Sequence, residues 1–478
     1  MVNRFPDYRD HDGLGLAALL RKRAISPQEL LETAIDWAER VNPPINALSQ
    51  KLYDHGREAL DRPLPQGPFS GVPFLLKDVG AQLAGTVTTQ GSRFFAGMRA
   101  KADSTLVARY KQAGFVIFGK TATPEMALAP STEGSFVGAT RNPWDLSRTA
   151  GGSSGGATAA VAAGIVPVAH ASDGGGSIRI PASCCGLFGM KPTRARTPAG
   201  PLAGEGWGSL SVNHVVSRSV RDSAAALDAT QGPAPGDPYC APHRDHPFLA
   251  DVGGPVGSLR IALQRKPLSG VAVAAECIQA ADEAARLLES LGHRVEEAQP
   301  PGDSEELGRA LWVLVASNVS CSLQARARSL GCELVPGDVD PVTWGAVEFA
   351  RTLKVEDYPE ALATIHLQGR RMADFHDRFD IVMSPTLAQP PIPLGILRTD
   401  NPELDAYSRA LHDFMPFTQL FNISGQPSMS VPLHWTAQNL PVGIMFSAPF
   451  GDEATLFRLA GQLETAKPWF DRVPEVPS

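Results

Sequence analysis

The sequence contains few cysteines, and their arrangement predicts no metal site. There are six in 478 residues, at positions 184, 185, 240, 277, 321 and 332, and no two of them form a C-x-x-C pair. The histidines include no H-E-x-x-H motif, the pattern typical of a catalytic zinc site. So low a cysteine content in a long chain is typical of a reducing compartment. We therefore expect a cytoplasmic protein that holds no metal ion.

The sequence also lacks an excess of basic charge and a hydrophobic run that could cross a membrane. The formal net charge is −7, which argues against nucleic acid or an anionic membrane as a partner. The longest apolar stretch, residues 157–169, is interrupted by Gly164 and Pro167 and is too short to span a bilayer. The polar start, residues 1–13, does not resemble a signal peptide. These absences predict a soluble, intracellular protein.

What the sequence does contain is an alternation of helix and strand patterns. Hydrophobic residues make up 43% of the chain and charged residues 19%, a composition typical of a globular enzyme. Residues 13–60 predict helices, one of which begins at Ser26, and residues 71–78 predict a short buried strand that ends at Lys77. Helix and strand patterns then alternate, which predicts an α/β sheet with helices on both faces.

Two regions stand apart from this alternation. Residues 231–256 are rich in proline and glycine, and they are either a boundary within the chain or a long surface loop. Residues 303–375 are helical in pattern and could form a lid or a subdomain. The length alone would allow two to four domains, although single α/β domains of this size exist.

The segment at residues 114–121, GFVIFGKT, matches the phosphate-loop pattern G-x-x-x-x-G-K-[ST] by letter only. In a phosphate loop a strand precedes the first glycine and a helix begins at the lysine. Here a helix pattern precedes Gly114, the residues between the glycines are apolar, and Pro124 discourages a helix from Lys120. We therefore expect no nucleotide and no other cofactor.

The residues that predict chemistry are one lysine and two serines that stand among glycines. Lys77 ends the predicted strand, Ser153 lies in GGSSGG, and Ser177 lies in SDGGGSIR. A serine hydroxyl needs a base to become a nucleophile, and a lysine can be that base only when burial or neighbouring cations keep it neutral. Consecutive glycine N–H groups can converge on one oxygen and form an oxyanion hole. The set predicts a hydrolase that attacks amide bonds without a histidine.

Each of these signals also has a structural explanation. The GGSSGG run alone fits a tight turn with close helix packing, and Lys77 with Asp78 would suit a surface ion pair. The apolar VPFLL run before Lys77 argues against a surface position. We predict that His170 and the Cys184–Cys185 pair are packed core residues.

These segments resemble the amidase signature family. The matching motifs are GVPFLLKDV at 71–79, GKTATPEM at 119–126, RNPWDLSRTAGGSSGG at 141–156 and SDGGGSIRIPASCCGLFGMKPT at 172–193, with weaker C-terminal features. The resemblance implies a single amidase domain over residues 1–478, with a central mixed, twisted β-sheet covered by helices on both faces. Its expected parts are N-terminal helices (about 1–60), the signature core (about 61–230), a variable substrate-shaping region (about 257–380) and C-terminal strands with a helix (about 381–478).

The resemblance also implies a role for each site residue. Ser177 takes the position of the nucleophile, Ser153 that of a bridging serine after a cis peptide bond, and Lys77 that of the general base. The oxyanion would be held by the amides of Gly174, Gly175, Gly176 and Ser177. The residues expected to orient the triad and its loop are Ser154, Ser172, Asp173 and Arg179. Many members have TDTGGS where this chain has SDGGGS; Ser172 keeps a hydroxyl there, so we expect no loss of function.

The substrate is the property that the sequence specifies least. The nucleophile loop and the C-terminal segment resemble those of bacterial amidases near the 6-aminohexanoate cyclic-dimer hydrolases, which implies a small neutral aliphatic or aryl amide. Carbamates, esters and nylon oligomers would also suit a serine acyl-enzyme. The expected pocket residues are Met126, Leu128, Ala129 and Cys321. The alternatives are the glutaminase subunit of a tRNA-dependent amidotransferase, which needs partner subunits, and a catalytically silent binding protein. The resemblance also suggests a homodimer.

Overall fold

The computed structural model describes residues 5–476, and its largest feature is a sheet of eleven strands. Residues 1–4 and 477–478 lie outside the described residues. The first four of them belong to the polar start, residues 1–13, so that segment is described only in part. The described residues form fifteen strands, and four of them lie outside the large sheet, where β4 pairs with β5 and β6 pairs with β7. The strands are β1 (Leu48–Lys51), β2 (Pro73–Lys77), β3 (Val116–Thr121), β4 (Glu133–Gly134), β5 (Gly138–Ala139), β6 (Arg141–Asn142), β7 (Asp145–Thr149), β8 (Val168–Asp173), β9 (Phe188–Lys191), β10 (Val212–Ser217), β11 (Arg260–Leu263), β12 (Arg294–Glu297), β13 (Ile381–Pro385), β14 (Ser428–Trp435) and β15 (Pro441–Ser447).

The helices are interspersed with the strands along the chain. They are α1 (Gly13–Arg21), α2 (Pro27–Ile45), α3 (Tyr53–Leu60), α4 (Thr105–Gln112), α5 (Gly155–Ala162), α6 (Arg179–Cys185), α7 (Val220–Thr230), α8 (Ala275–Ser290), α9 (Ser304–Leu330), α10 (Pro341–Thr352), α11 (Asp357–His376), α12 (Leu404–Phe414), α13 (Gln419–Ile423) and α14 (Glu453–Ala466). Short 3₁₀ turns occur at Pro6–Asp10, Arg93–Phe95, Glu125–Ala127, Phe248–Ala250 and Pro336–Asp338.

The sheet is mixed, in the order β1-β3-β2-β8-β10-β9-β14-β15-β13-β11-β12. β2 runs parallel to both β3 and β8, β11 runs parallel to β12 and β13, and the other neighbours are antiparallel. Strands from all four of the expected parts of the chain join this one sheet, so no part has a large sheet of its own. The predicted α/β class with a mixed central sheet is confirmed.

Around its C-terminal strands, the two faces of the sheet belong to different hydrophobic clusters. Successive side chains of a strand point to opposite faces. In β15, Met445 accordingly joins one cluster, while Ile444 and Phe446 join the other. Helix α6 contributes to the first cluster, and helices α8 and α14 contribute to the second. Helices therefore cover both faces, as predicted.

The prediction of helices alone over residues 13–60 is wrong at one place. Leu48–Lys51 forms β1, an edge strand that pairs antiparallel with β3. Only Leu48 of its four residues is buried, so the segment has no apolar alternation of its own. The strand forms because β3 offers it a backbone hydrogen-bonding partner, which is a tertiary effect. The predicted start at Ser26 is confirmed by a capping box with Glu29.

The end of the GFVIFGKT segment belongs to a strand, whereas in a phosphate loop a helix would begin there. β3 continues through Gly119, Lys120 and Thr121. The Lys120 side chain is buried; its Nζ donates to Thr88 Oγ1 at 2.9 Å and lies 3.7 Å from Asp78 Oδ1. The Lys120 amine therefore has its partners inside the protein, as expected if the match to the phosphate-loop pattern is accidental.

The two regions that stand apart in the sequence differ in secondary structure. The 303–375 region forms the helices α9, α10 and α11, and the 231–256 region contains no helix or strand longer than the turn at Phe248–Ala250.

Within residues 5–476 no helix is both long and apolar enough to cross a bilayer. In the same residues no group of three or more histidine, cysteine, aspartate or glutamate side chains is arranged to hold a metal ion.

Candidate active site

The site lies where two neighbouring parallel strands end. In β2 and β8, Leu75 stands opposite Ala169, so Lys77 at the end of β2 lies beside the end of β8. Carboxyl ends of parallel strands meet at the same edge of a sheet, which is where α/β folds place their ligands. The Gly174–Ser177 loop follows β8 directly and leads into α6. The alternation of strand and helix therefore brings the lysine and the second glycine cluster together.

The Lys77 side chain is wholly buried and faces two hydroxyl groups. Its Nζ lies 2.7 Å from Ser153 Oγ and 2.9 Å from Ser172 Oγ. Burial lowers the pKa of Lys77 from 10.5 to about 7, and the carboxylate of Asp173 only partly opposes that shift. A surface ion pair with Asp78 is excluded, because both side chains are buried. A large fraction of Lys77 is consequently uncharged near neutral pH.

Ser153 is held at the start of α5 by very close packing. The Gly152–Ser153 peptide bond is cis, as the family resemblance implied. A Cβ atom on Gly152 would lie 2.2 Å from the carbonyl oxygen of Ser131, and one on Gly155 would lie 2.3 Å from Thr132 Oγ1. Every residue of α5 is buried. The GGSSGG run is thus both a tight turn and the support of Ser153.

Ser154 connects the two glycine clusters. Its Oγ donates to the carbonyl oxygen of Ser172 at 3.2 Å and lies 3.3 Å from the Ser172 backbone nitrogen. Its backbone N–H donates to the carbonyl oxygen of Ser177 at 3.3 Å. The expected positioning residue therefore contacts both the strand end and the loop of the second serine.

Asp173 and Arg179 form a buried ion pair beneath the loop. Arg179 Nη2 lies 2.9 Å from Asp173 Oδ1 and Nε lies 2.9 Å from Oδ2, a two-pronged geometry with no solvent exposure. Burial alone would raise the pKa of Asp173, but the Arg179 guanidinium and the hydrogen bond from Asn422 bring it well below its usual range. Asp173 also accepts the backbone N–H groups of Gly176 and Ile178. The pair therefore fixes the turn that carries Ser177.

One predicted oxyanion donor is already used by the protein. The Gly176 N–H donates to Asp173 Oδ1 at 2.7 Å and cannot also point toward a substrate, so its assignment to the oxyanion hole is corrected. Within residues 5–476, the amides of Gly174, Gly175 and Ser177 have no intramolecular acceptor. Gly175 and Ser177 are half-buried, so their amides are the donors left for a bound oxygen.

His170 is a packed residue, as expected, and it also touches the lysine. It is buried on β8, and burial lowers its pKa to about 3. Its Nδ1 accepts the backbone N–H of Lys77 at 3.2 Å, and its Nε2 lies 3.2 Å from Asn213 Oδ1. His170 is therefore neutral and supports the backbone of Lys77.

Comparison with known proteins decides the family. The sequence model of the Amidase family matches residues 29–457. The chain belongs to the amidase signature family. It is 36% identical to the 6-aminohexanoate-cyclic-dimer hydrolase of Pseudomonas sp. (strain NK87), over 97% of this chain and 96% of that protein.

Solved structures agree with that assignment. A 6-aminohexanoate cyclic dimer hydrolase complexed with substrate matches with a TM-score of 0.91 at 35% identity, over 99% of this chain and 100% of the other. A bacterial aryl acylamidase of the amidase signature family matches with a TM-score of 0.86 at 28% identity, over 96% of each chain. The protein is accordingly an amidase, a hydrolase of carbon–nitrogen bonds, and the interpretation as a catalytically silent binding protein is set aside.

The predicted pocket residues of this amidase differ in how much surface they offer. Met126, Leu128 and Ala129 are exposed by only 5, 9 and 4%, so they present little surface to a ligand. Cys321 is exposed on α9. It lies seven residues after Leu314, on the same side of the helix. A Cβ on Gly208 would lie 3.1 Å from Leu314, so that side of α9 faces the turn that contains Gly208.

The sequence prediction missed residues that reach the loop from distant segments. The indole of Trp207 would lie 2.6 Å from a Cβ on Gly174, so it packs against the start of the loop. Thr418 and Asn422 bind the loop and Asp173 from the beginning and the body of α13. Asn422 lies in FNISGQPSMSVP at residues 421–432, one of the weaker C-terminal features of the family resemblance, but nothing local in the sequence indicates its target. No sequence signal pointed to Trp207.

Proposed function

We propose that this amidase cleaves small neutral aliphatic or aryl amides through an acyl-enzyme formed on Ser177. The observation that carries the proposal is the 2.7 Å contact between the buried Lys77 amine and the Ser153 hydroxyl. A neutral amine has one lone pair, and it can accept a proton only from a group held this close. Ser172, at 2.9 Å from the same nitrogen, orients the amine.

The proposed reaction begins with proton transfer toward Lys77. The lysine accepts the proton of Ser153, Ser153 accepts that of Ser177, and the Ser177 oxygen attacks the carbonyl carbon of the amide. The negative charge on the former carbonyl oxygen is stabilised by the free amides of the 174–177 loop, without the Gly176 N–H. The tetrahedral intermediate then collapses and the C–N bond breaks.

The second half of the reaction reverses the proton path. The leaving amine takes a proton through Ser153, which leaves Lys77 neutral again. Water then attacks the ester of Ser177 and gives up a proton along the same relay to Lys77. That proton returns through Ser153 to the Ser177 oxygen as its bond to the acyl carbon breaks, and the carboxylic acid leaves. The sequence of steps is consistent with a pKa of about 7 for Lys77, since the group must both accept and release a proton near neutral pH.

The substrate class rests on the relatives. One relative hydrolyses the 6-aminohexanoate cyclic dimer and another is an aryl acylamidase, both neutral-amide chemistries by their names. We propose that the substrate enters between the 174–177 loop, Trp207 and the exposed side of α9 that carries Cys321. Carbamates and esters would form the same acyl-enzyme with different leaving groups.

Hydrolysis of a substrate panel tests the proposal. The panel contains aliphatic amides, anilides, carbamates, the 6-aminohexanoate cyclic dimer and free glutamine. Ser177→Ala should lower turnover by about 10³-fold or more, because removal of the nucleophile leaves only binding and oxyanion effects. Ser290→Ala, at an exposed position on α8, is the matched control and should keep wild-type activity.

Two results would redirect the assignment. Near-normal hydrolysis by Ser177→Ala would exclude this nucleophile. Activity on glutamine alone, together with co-purification of partner subunits, would favour the glutaminase subunit of a tRNA-dependent amidotransferase over a free-standing amidase.

A further inference from the structure

The loop before Ser177 contains three consecutive glycines, the least constrained backbone that a chain can have. Amides that stabilise an oxyanion must be aimed before the charge forms, because reorientation during the reaction would cost part of the stabilisation. Something outside the loop must therefore fix it. The side chain in the right place is Thr418, which lies 243 positions after Gly175 in the chain.

The contacts of Thr418 complete the restraint of one peptide unit. Its hydroxyl donates to the carbonyl oxygen of Gly175 at 2.6 Å. The other polar group of that unit, the Gly176 N–H, donates to Asp173 Oδ1 at 2.7 Å. Both polar atoms of the Gly175–Gly176 unit are thus bound, from opposite sides, by two separate segments of the chain.

Holding that unit restricts where the neighbouring amides can point. It lies between the ψ angle of Gly175 and the φ angle of Gly176, two of the four rotations that relate the flanking amides to it, and the φ angle of Gly176 is +137°, a value that favours glycine. The flanking N–H groups of Gly175 and Ser177 have no acceptor within residues 5–476. With the central unit held on both sides, the range of directions open to these two amides is narrowed.

Thr418 is itself held too rigidly for this contact to be incidental. Its side chain is fully buried, and its own carbonyl oxygen accepts from Arg179 Nη1 at 2.9 Å. A Cβ on Gly176 would lie 2.5 Å from Thr418 Oγ1. The hydroxyl therefore occupies space that only a glycine at 176 leaves open.

We propose that Thr418 is a positioning residue of the amidase reaction, whose hydroxyl holds the Gly175–Gly176 unit so that the flanking amides face the developing oxyanion. The inference rests on the proposed function of Ser177. Since the negative charge exists only in the transition state and the tetrahedral intermediate, loss of this restraint lowers kcat and leaves KM nearly unchanged.

Three variants test this role. Thr418→Val keeps the shape and removes the hydroxyl, and Thr418→Ser keeps the hydroxyl. The matched control is Thr230→Val, because Thr230 is equally buried and donates to the Ala226 carbonyl oxygen at 2.7 Å far from the loop. The measurements are kcat and KM on the best amide of the panel, the pH dependence of kcat/KM, and thermal unfolding of each variant.

Thr418→Val should lower kcat about 10- to 100-fold, less than the roughly 10²- to 10³-fold loss seen when an oxyanion donor itself is removed. KM should change by less than about twofold and the midpoint of the pH profile should stay in place, because the Lys77 contacts are untouched. Thr418→Ser should recover most of the lost kcat, and Thr230→Val should match the wild type. If Thr418→Val does not fold, Thr418→Ala is judged by the same criteria.

Other outcomes overturn the inference. A wild-type kcat in Thr418→Val, equally low kcat in Thr418→Ser, or a displaced pH midpoint would each show that the hydroxyl does not act through the loop. Ser177→Ala separates this failure from that of the proposed function. If Ser177→Ala is inactive while Thr418→Val is normal, only the role of Thr418 is wrong; if Ser177→Ala hydrolyses amides, the proposed function itself is wrong.

Discussion

Replacement of Lys77 by methionine should make the protein more stable at neutral pH while abolishing its activity. The buried amine has a pKa of about 7 instead of 10.5, so folding at pH 8 requires an amine that is protonated in the unfolded chain to lose its proton. At about 1.4 kcal/mol per pH unit, that requirement costs about 3 kcal/mol at pH 8, and about 4 kcal/mol at pH 7, where half of the folded molecules still hold the proton. Methionine is similar in length and carries no charge, so Lys77→Met removes this cost.

The gain is reduced by the contacts that methionine cannot make. Lys77 Nζ has two hydroxyl partners, at 2.7 and 2.9 Å, and each hydrogen bond contributes about 1 kcal/mol. The free energy of unfolding of Lys77→Met should therefore exceed that of the wild type by about 2 kcal/mol at pH 7, and the two should be about equal near pH 9.

The sign of the pH dependence follows from proton binding. Between pH 7 and 10.5 the unfolded wild type binds the lysine proton and the folded wild type does not, so wild-type stability rises with pH in that window. The advantage of Lys77→Met therefore shrinks by about 1.4 kcal/mol per pH unit above pH 7 and levels off below about pH 6. Contributions from titrating groups that do not interact with Lys77 cancel in the difference.

Urea unfolding followed by far-ultraviolet circular dichroism at pH 6 to 9.5 measures this difference. The control is Lys101→Met, at a position exposed in the folded protein, which should give a difference that does not change with pH. If the difference between Lys77→Met and the wild type is also independent of pH from 7 to 9.5, Lys77 does not lose its proton on folding, and the reasoning is refuted.

Two further predictions concern the loop and the base. Gly176→Ala should destabilise the protein and lower its activity, because the φ angle is +137° and the new Cβ would meet Thr418 Oγ1 at 2.5 Å. A Cβ on Gly175 meets nothing closer than 3.9 Å, so the control Gly175→Ala should unfold at nearly the wild-type temperature. Equal shifts of the unfolding temperature in the two variants would contradict this prediction. The value of kcat/KM should rise with pH through about 7, as Lys77 loses its proton, and then level off; a flat profile from pH 5 to 9 would exclude Lys77 as the base.

The sequence was most informative where local patterns carry the geometry. The apolar run before Lys77 predicted its burial, and the glycines around Ser153 and Ser177 predicted close backbone approach, because a missing Cβ leaves a trace in the sequence itself. Two parallel strands then place the lysine beside the second serine loop, as expected for α/β alternation.

The sequence was least informative where distant segments meet. β1 forms only because β3 has a free edge, and the restraint by Thr418 joins residues 243 positions apart. The use of the Gly176 N–H by Asp173 depends on the exact path of the turn and not on its composition. A short polar strand, a single threonine and one amide direction have no periodicity that a pattern could reveal.

The central claim is that a neutral Lys77, acting through Ser153, makes Ser177 a nucleophile. The most direct measurement is the rate at which a fluorophosphonate labels the protein between pH 5 and 9, with the modified residue identified by peptide mass spectrometry. The account predicts that the label is on Ser177, that the labelling rate rises through about pH 7, and that Lys77→Ala nearly abolishes it. Labelling of another residue, or unchanged labelling of Ser177 in Lys77→Ala, would contradict the account.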